Sequence, residues 1–161
     1  MRIDFCFFDG VYSYLSALFV HIAPLALKQG VAVTGAVNQH GQRLPVGGIN
    51  EKIEGYFGSC ETVGLDGCQG VLIPRRNLRH LMLERHVVEA VSRGQFHRYT
   101  AEHASEGMEL LTGMPFGEAS PAGAYPPESI LGQAQKTLRD YRYAIQLSGQ
   151  HKRVRKPEPP R

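Results

Sequence analysis

Thr34-Gly35-Ala36-Val37-Asn38-Gln39-His40-Gly41-Gln42-Arg43-Leu44-Pro45-Val46-Gly47-Gly48-Ile49-Asn50-Glu51-Lys52 is the stretch on which the fold turns. Together with the residues just before it, Val31 to Val37 is an apolar, β-branched run and reads as one strand. Asn38-Gln39-His40-Gly41 has the composition of a turn, and Gln42 to Val46 returns as a second strand, so the two form a hairpin. Gly47-Gly48 then breaks the second strand and opens a helix from Ile49 to about Cys60.

That helix carries the informative residue. At 100° per residue, Ile49, Ile53, Tyr56 and Phe57 fall within one arc, while Asn50, Glu51 and Glu54 lie opposite. Lys52 does not join the polar side; it projects beside Ile49 and Tyr56, at the edge of the apolar arc. Two readings follow. A lysine kept dry loses hydration, which disfavours its ammonium form, and the resulting amine can take a proton from a hydroxyl. Alternatively the side chain snorkels, burying its stem and keeping its head in water.

Working outward, Ser13 to about Ala23 places Leu15, Leu18, Phe19 and Ile22 at helical spacing, and Pro24 ends or kinks that helix. Gln69 to Ile73 is a short β-branched run stopped by Pro74, which reads as a buried strand. Asn77 to Val91 is helical by the spacing of Leu78, Leu81, Met82, Val88 and Val91. Phe96 to Thr100 reads as a strand and Glu102 to Leu111 as a short helix. Gly113 to Pro127 is a Pro/Gly-rich loop or linker, followed by a helix from about Glu128 to Leu147 and a tail that reads as disordered after Ser148. Strands alternating with helices indicate an α/β (α+β) domain with a mixed sheet and packed helices.

Composition narrows the function classes. The net charge is only +3 and much of that excess sits in the tail from His151 to Arg161, so no whole-protein field draws it to nucleic acid. Cys6, Cys60 and Cys68 form no CxxC pair, which speaks against a disulfide framework and a cysteine zinc site and for a reducing, cytoplasmic setting. His80 and His86, like His97 and His103, are six apart and lack the i, i+4 geometry of a helical metal pair, so no metal site is expected. Arg75, Arg76, Arg79 and Arg85 read as a solvated helix face, and Tyr141 and Tyr143 as packing residues of the last helix. Val11 to Leu27 is apolar enough to raise a membrane anchor. Its length is at the bottom of the spanning range and it carries Tyr12, Ser13, Tyr14, Ser16, His21 and Pro24, which favours a buried helix instead.

The run from Thr34 to Lys52 resembles the signature of the Lon protease family: a TG strand, a G-x-x-LPVGG turn, and a helix with the catalytic lysine four residues after the second glycine. Gln69-Gly70-Val71-Leu72-Ile73-Pro74-Arg75-Arg76-Asn77 is similar to the family's later strand, a VIIP followed by a polar residue and Asn. Order and spacing match from Gln29 to about Leu111. Asn50-Glu51-Lys52-Ile53-Glu54-Gly55-Tyr56-Phe57 looks most like the bacterial Lon-related branch with a divergent ATPase region, and the Pro-rich loop and final helix resemble that branch's C-terminal extension.

The resemblance implies a Ser–Lys dyad peptidase with Lys52 as the base and Thr34 in support. The family writes its nucleophile D-G-x-S-A; here Asp9-Gly10-Val11-Tyr12-Ser13 puts Ser13 one place late and Tyr12 in the serine's place. Ser13 is the candidate nucleophile and Ser16 the second choice. The implied division is a Lon-like proteolytic domain over 1–112, incomplete at its N-terminus, a linker over 113–127, and a C-terminal helix with a basic tail over 128–161. The chain itself calls for no cofactor. No Walker G-x-x-x-x-G-K-[ST] occurs in it, so ATP is implied only through an AAA+ ATPase module or partner outside it. Expected partners are unfolded or damaged polypeptide substrates and further copies in a hexameric ring, with no specific nucleic acid and no membrane. The other reading is a catalytically inactive fragment that at most packs against other subunits.

Overall fold

The computed structural model describes residues 22, 23 and 25–153, with side chains placed up to residue 148. The helix expected to begin at Ser13, the apolar stretch from Val11 and the residues after Arg153 therefore lie wholly or mostly outside the described residues. The described residues form ten elements: β1 (Val31–Val33), β2 (Ala36–Val37), β3 (Arg43–Leu44), α1 (Ile49–Val63), β4 (Gly70–Pro74), a 3-10 helix (Arg75–His80), α2 (Arg85–Ser92), β5 (His97–Ala101), α3 (Ala104–Thr112) and α4 (Ile130–Arg153).

The sheet is three-stranded and parallel, in the order β1-β4-β5, and β2 and β3 form a separate antiparallel ribbon. This is the mixed α/β architecture expected. Val31, Ala32 and Val33 stand opposite Gly70, Val71 and Leu72, and β5 pairs along the whole of β4 from Gly70↔His97 to Pro74↔Ala101. β4 is buried at all five residues. A central parallel strand is covered on both faces, which is why its sequence is an unbroken apolar run without alternation. On one face Val71, Ile73 and Ala32 pack with Ile49, Ile53, Tyr56 and Phe57 of α1 and Val87 of α2. On the other, Leu72, Val31 and Val33 pack with Ala101, Ala104 and Leu111. Farther out, Ala23 and Leu25 join Met108, Ile130 and Ala134, and Met114 and Phe116 from the Pro/Gly-rich stretch pack against that group.

The strand read over Gln42 to Val46 keeps only Arg43–Leu44, and the structure departs further from the expected elements in four other places. The strand read over Val31 to Val37 is broken, because Gly35 turns the chain at φ 137° and sends β1 and β2 into different sheets. A side chain there is excluded as well: a Cβ on Gly35 would stand 2.8 Å from the Pro74 ring and 3.1 Å from the Arg43 guanidinium.

The helix read over Asn77 to Val91 is interrupted between His80 and Arg85. Its amides are taken by α1 instead: Met82 N–H donates to Asn50 Oδ1 at 2.9 Å and Glu84 N–H to Glu54 Oε1 at 2.9 Å. Met82 is consequently 84% exposed, and in α2 the buried residues are Val87 and Ala90 rather than Val88.

α1 runs three residues past Cys60, to Val63, where Gly64 closes it with its N–H on Cys60 O at 2.9 Å. α4 likewise outlasts its expected end, continuing as helix to Arg153 where a disordered tail was expected after Ser148. Its start is fixed by Ser129, whose Oγ accepts from Gly132 N–H at 3.0 Å and donates to Pro126 O at 2.7 Å. Beyond Ala134 the helix leaves the domain, so Tyr141 and Tyr143, expected to pack, are 51% and 64% exposed. No helix of the described residues is long and apolar enough to cross a membrane.

Candidate active site

Lys52 stands one turn into α1. The helix begins at Gly48, whose left-handed backbone (φ 64°, ψ 31°) reverses the chain after β3 at a conformation costly for residues with a Cβ. Gly48 O accepts from Lys52 N–H at 3.1 Å, so the lysine's own amide closes the first turn. Lys52 is half-buried, while Ile53, Tyr56 and Phe57 on the adjoining face are each 1% exposed. The Tyr56 hydroxyl donates to Gly30 O at 3.0 Å and ties the helix to the turn that precedes β1. The apolar arc read from the sequence is thus the buried face, with Lys52 at its margin.

Thr34 follows the last residue of β1 and is 3% exposed. Its N–H donates to Leu72 O at 3.1 Å, extending the ladder by one bond, and its carbonyl accepts from Arg43 Nη2 at 2.6 Å. Ile49 and Ile53, on either side of Lys52, share one core cluster with Ala32 of β1. The strand end carrying Thr34 and the helix start carrying Lys52 are therefore held by the same packed side chains. Both lie at the carboxyl side of β1, the side on which open α/β sheets bind their ligands. Ser13 and Ser16, with Asp9 and Gly10, lie outside the described residues.

Two further side chains shape this region; Asn77 closes the run that resembles the family's later strand, and Arg43 carries no warning in the sequence. Arg43, 3% exposed, links the ribbon to the sheet through Thr34 O and, at 3.5 Å, Leu72 O. Asn77, 2% exposed, grips Val46 with both ends of its amide: Oδ1 accepts from Val46 N–H at 3.1 Å and Nδ2 donates to Val46 O at 2.9 Å. A cavity of about 390 Å³ opens beside this clamp, lined by Val46, Gly47, Gly48, Glu51, Asn77 and His80. A second, of about 300 Å³, lies between β3 and the ends of β4 and β5, with Arg43, Arg75, Arg76, Glu102, His103 and Glu106 on its walls.

The ribbon is fixed at its tip. Asn38 Oδ1 accepts from His40 N–H and Gln42 N–H, both at 3.0 Å, closing an Asx-type turn. Ala104 N–H donates to Gly41 O at 2.8 Å, Arg43 N–H donates to Glu102 O at 2.8 Å, and His103 Nε2 lies 2.8 Å from His40 O. Of the other histidines and arginines read from the sequence, His97 Nε2 meets Gly67 O at 2.7 Å, Arg75 pairs with Glu102 at 3.4 Å, and Arg85 pairs with Glu89 at 2.9 Å. Among the described residues no three His, Cys, Asp or Glu side chains gather as a metal site.

A family model described as the Lon protease (S16) C-terminal proteolytic domain matches residues 10–110. A putative Lon protease homolog of Escherichia coli (strain K12) is 43% identical over 97 residues, covering 60% of this chain and 17% of that protein. A putative Lon protease homolog of Haemophilus influenzae is 44% identical over 108 residues, covering 65% of this chain and 18% of that protein. Lon protease 1 of Herpetosiphon aurantiacus is 30% identical over 116 residues, 72% of this chain and 12% of its own length. The chain thus spans less than a fifth of the curated relatives it matches.

Proposed function

The chain belongs to the Lon protease (S16) C-terminal proteolytic domain family, and from that premise we propose that it supplies a serine-peptidase centre with Lys52 as its proton acceptor. The observation that carries the proposal is the placement of Lys52. It sits one turn after a left-handed glycine, half-buried, at the edge of a helix face whose other members are sealed in the core.

In this reading the Ser13 hydroxyl attacks the scissile carbonyl carbon while its proton passes to Lys52 Nζ. The amide C–N bond then breaks, the leaving amine takes that proton, and water hydrolyses the serine ester in a second round of the same transfers. Backbone N–H groups near the serine hold the oxyanion. Thr34, fixed at both its N–H and its carbonyl, supports the dyad from the end of β1. The substrates are unfolded or damaged polypeptides, delivered by an ATPase module or partner within an oligomeric ring.

Casein turnover by the wild-type chain beside Lys52→Ala and Lys52→Arg tests the proposal. Both variants lose cleavage, the second because a guanidinium keeps its charge and cannot accept the proton. Undiminished turnover in Lys52→Arg removes the lysine from the mechanism.

One observation favours a second reading, an inactive domain that packs against other subunits: Tyr12 occupies the place the family gives its serine. Ser13→Ala decides between them. If wild-type and Ser13→Ala chains, each supplied with an ATPase partner, are equally unable to cut casein, the packing role stands.

A further inference from the structure

The segment that follows β4 does more than connect it to α2. Asn77 holds Val46 by its N–H and carbonyl at 3.1 and 2.9 Å, immediately before the Gly47-Gly48 turn that launches α1. One turn on, Asn50 of α1 accepts from Met82 N–H at 2.9 Å and donates from Nδ2 to His80 O at 3.2 Å, and Glu54 accepts from Glu84 N–H at 2.9 Å. Asn50 and Glu54 are four residues apart and lie on one side of the helix; Lys52, 200° on from Asn50, lies on the other. The core fixes how deep α1 sits, but apolar packing tolerates rotation better than paired hydrogen bonds do. Three hydrogen bonds on the side away from Lys52, with two more that hold Val46 just before the helix, remove that freedom.

We propose that Asn77, with the 80–84 segment that follows it, is the positioning device that sets the rotation of α1 and therefore the reach of Lys52. The proposal rests on the reading of Lys52 as the proton acceptor, and its structural half can be tested without it. Asn77 is a positioning residue: it acts on the lysine through Val46, and no other amino acid supplies one donor and one acceptor in that geometry apart from the larger glutamine. Asp in its place keeps the acceptor for Val46 N–H and turns a second lone pair on the Val46 carbonyl.

The experiment uses the whole chain in four forms: wild type, Asn77→Asp, Asn50→Ala, and Asn77→Asp combined with Lys52→Ala. Amide hydrogen exchange is read across residues 46–52 and, as an internal reference, across Val71 to Ile73 of β4. In Asn77→Asp the 46–52 amides exchange about tenfold faster while the β4 amides keep their protection. Should Asn77→Asp fail to fold, Asn50→Ala, which lies at the surface end of the clamp, loosens 46–52 in the same selective way.

Casein assays give the second readout: kcat falls on the order of 100-fold with KM unchanged, and the double variant is no slower than Lys52→Ala alone. Unchanged exchange over 46–52 in a folded Asn77→Asp or Asn50→Ala overturns the proposal, as does loosened exchange with full kcat. A wild-type chain that does not cut casein overturns the peptidase reading instead, and the exchange result then decides the clamp by itself.

Discussion

Gly41 stands at the tip of the β2–β3 ribbon with φ +79°, and a Cβ added to it would meet His103 Nε2 at 2.5 Å and Cε1 at 2.6 Å. Gly41→Ala therefore carries two separable costs. The left-handed backbone alone disfavours an L residue by roughly 1–2 kcal/mol. The methyl group also evicts the imidazole, which lies 2.8 Å from His40 O through Nε2 and 2.8 Å from Ser105 Oγ through Nδ1; losing both costs about 1 kcal/mol each. The single variant should lose roughly 3–4 kcal/mol of folding stability as the total of these terms. His103→Ala loses only the hydrogen bonds, about 2 kcal/mol.

In the double variant no ring remains to be displaced, so the two changes together cost about 2 kcal/mol less than their sum. Urea titrations of the four proteins, extrapolated linearly, measure the cycle. Additivity within about 0.5 kcal/mol refutes the steric account and leaves only the backbone argument.

Phe57 is 1% exposed and meets Phe96 edge-on at 5.2 Å and 89°; Phe57→Ala should cost about 3–5 kcal/mol by the same titration. Gly70→Ala places a Cβ 2.6 Å from the His97 carbonyl oxygen, a backbone atom of the neighbouring strand. It should destabilise by about 1–3 kcal/mol, with early loss of amide protection at the start of β4 and β5. Ile145 is 72% exposed on α4, so Ile145→Lys should change stability by no more than about 0.5 kcal/mol despite removing a large apolar side chain. Cys60 is buried and Cys68 exposed; in a Cys6→Ser background a thiol reagent should label Cys68 at once and Cys60 only on unfolding.

The parts of the fold that periodicity could reach were those where a single interaction decides. The apolar arc of α1 and the continuous run of β4 each answer to burial alone; the arc is the buried face of its helix, and the strand stands one residue on from its reading, with Pro74 inside it. The interruption after His80 answers to something periodicity does not encode. Leu78, Leu81 and Met82 have helical spacing, yet the amides of Met82 and Glu84 find better acceptors in Asn50 and Glu54, about thirty residues earlier in the chain.

The same holds at the site. The place of Lys52 at the margin of the buried arc was legible because a charge beside Ile49 and Tyr56 breaks the pattern of its helix, while its reading as a base came only from the family resemblance. Asn77 and Arg43 hold backbone atoms across the fold, and a polar side chain whose partner is a distant carbonyl leaves no periodic trace. Gly35 lay inside an otherwise good strand, where an isolated glycine signals a bend without saying which way the chain goes next.

Everything from Thr34 to Gln69 is the connection between two neighbouring parallel strands. The ribbon, the glycine turn and α1 thus assemble inside a crossover, not beside a finished sheet. Pairing β1 with β4 closes that long loop, and the entropy lost in closing it must be offset by apolar burial on both sides of the sheet at once. The surroundings of Lys52 therefore have no local folding route of their own: an excised peptide spanning the ribbon and α1 would keep its turns and lose its geometry.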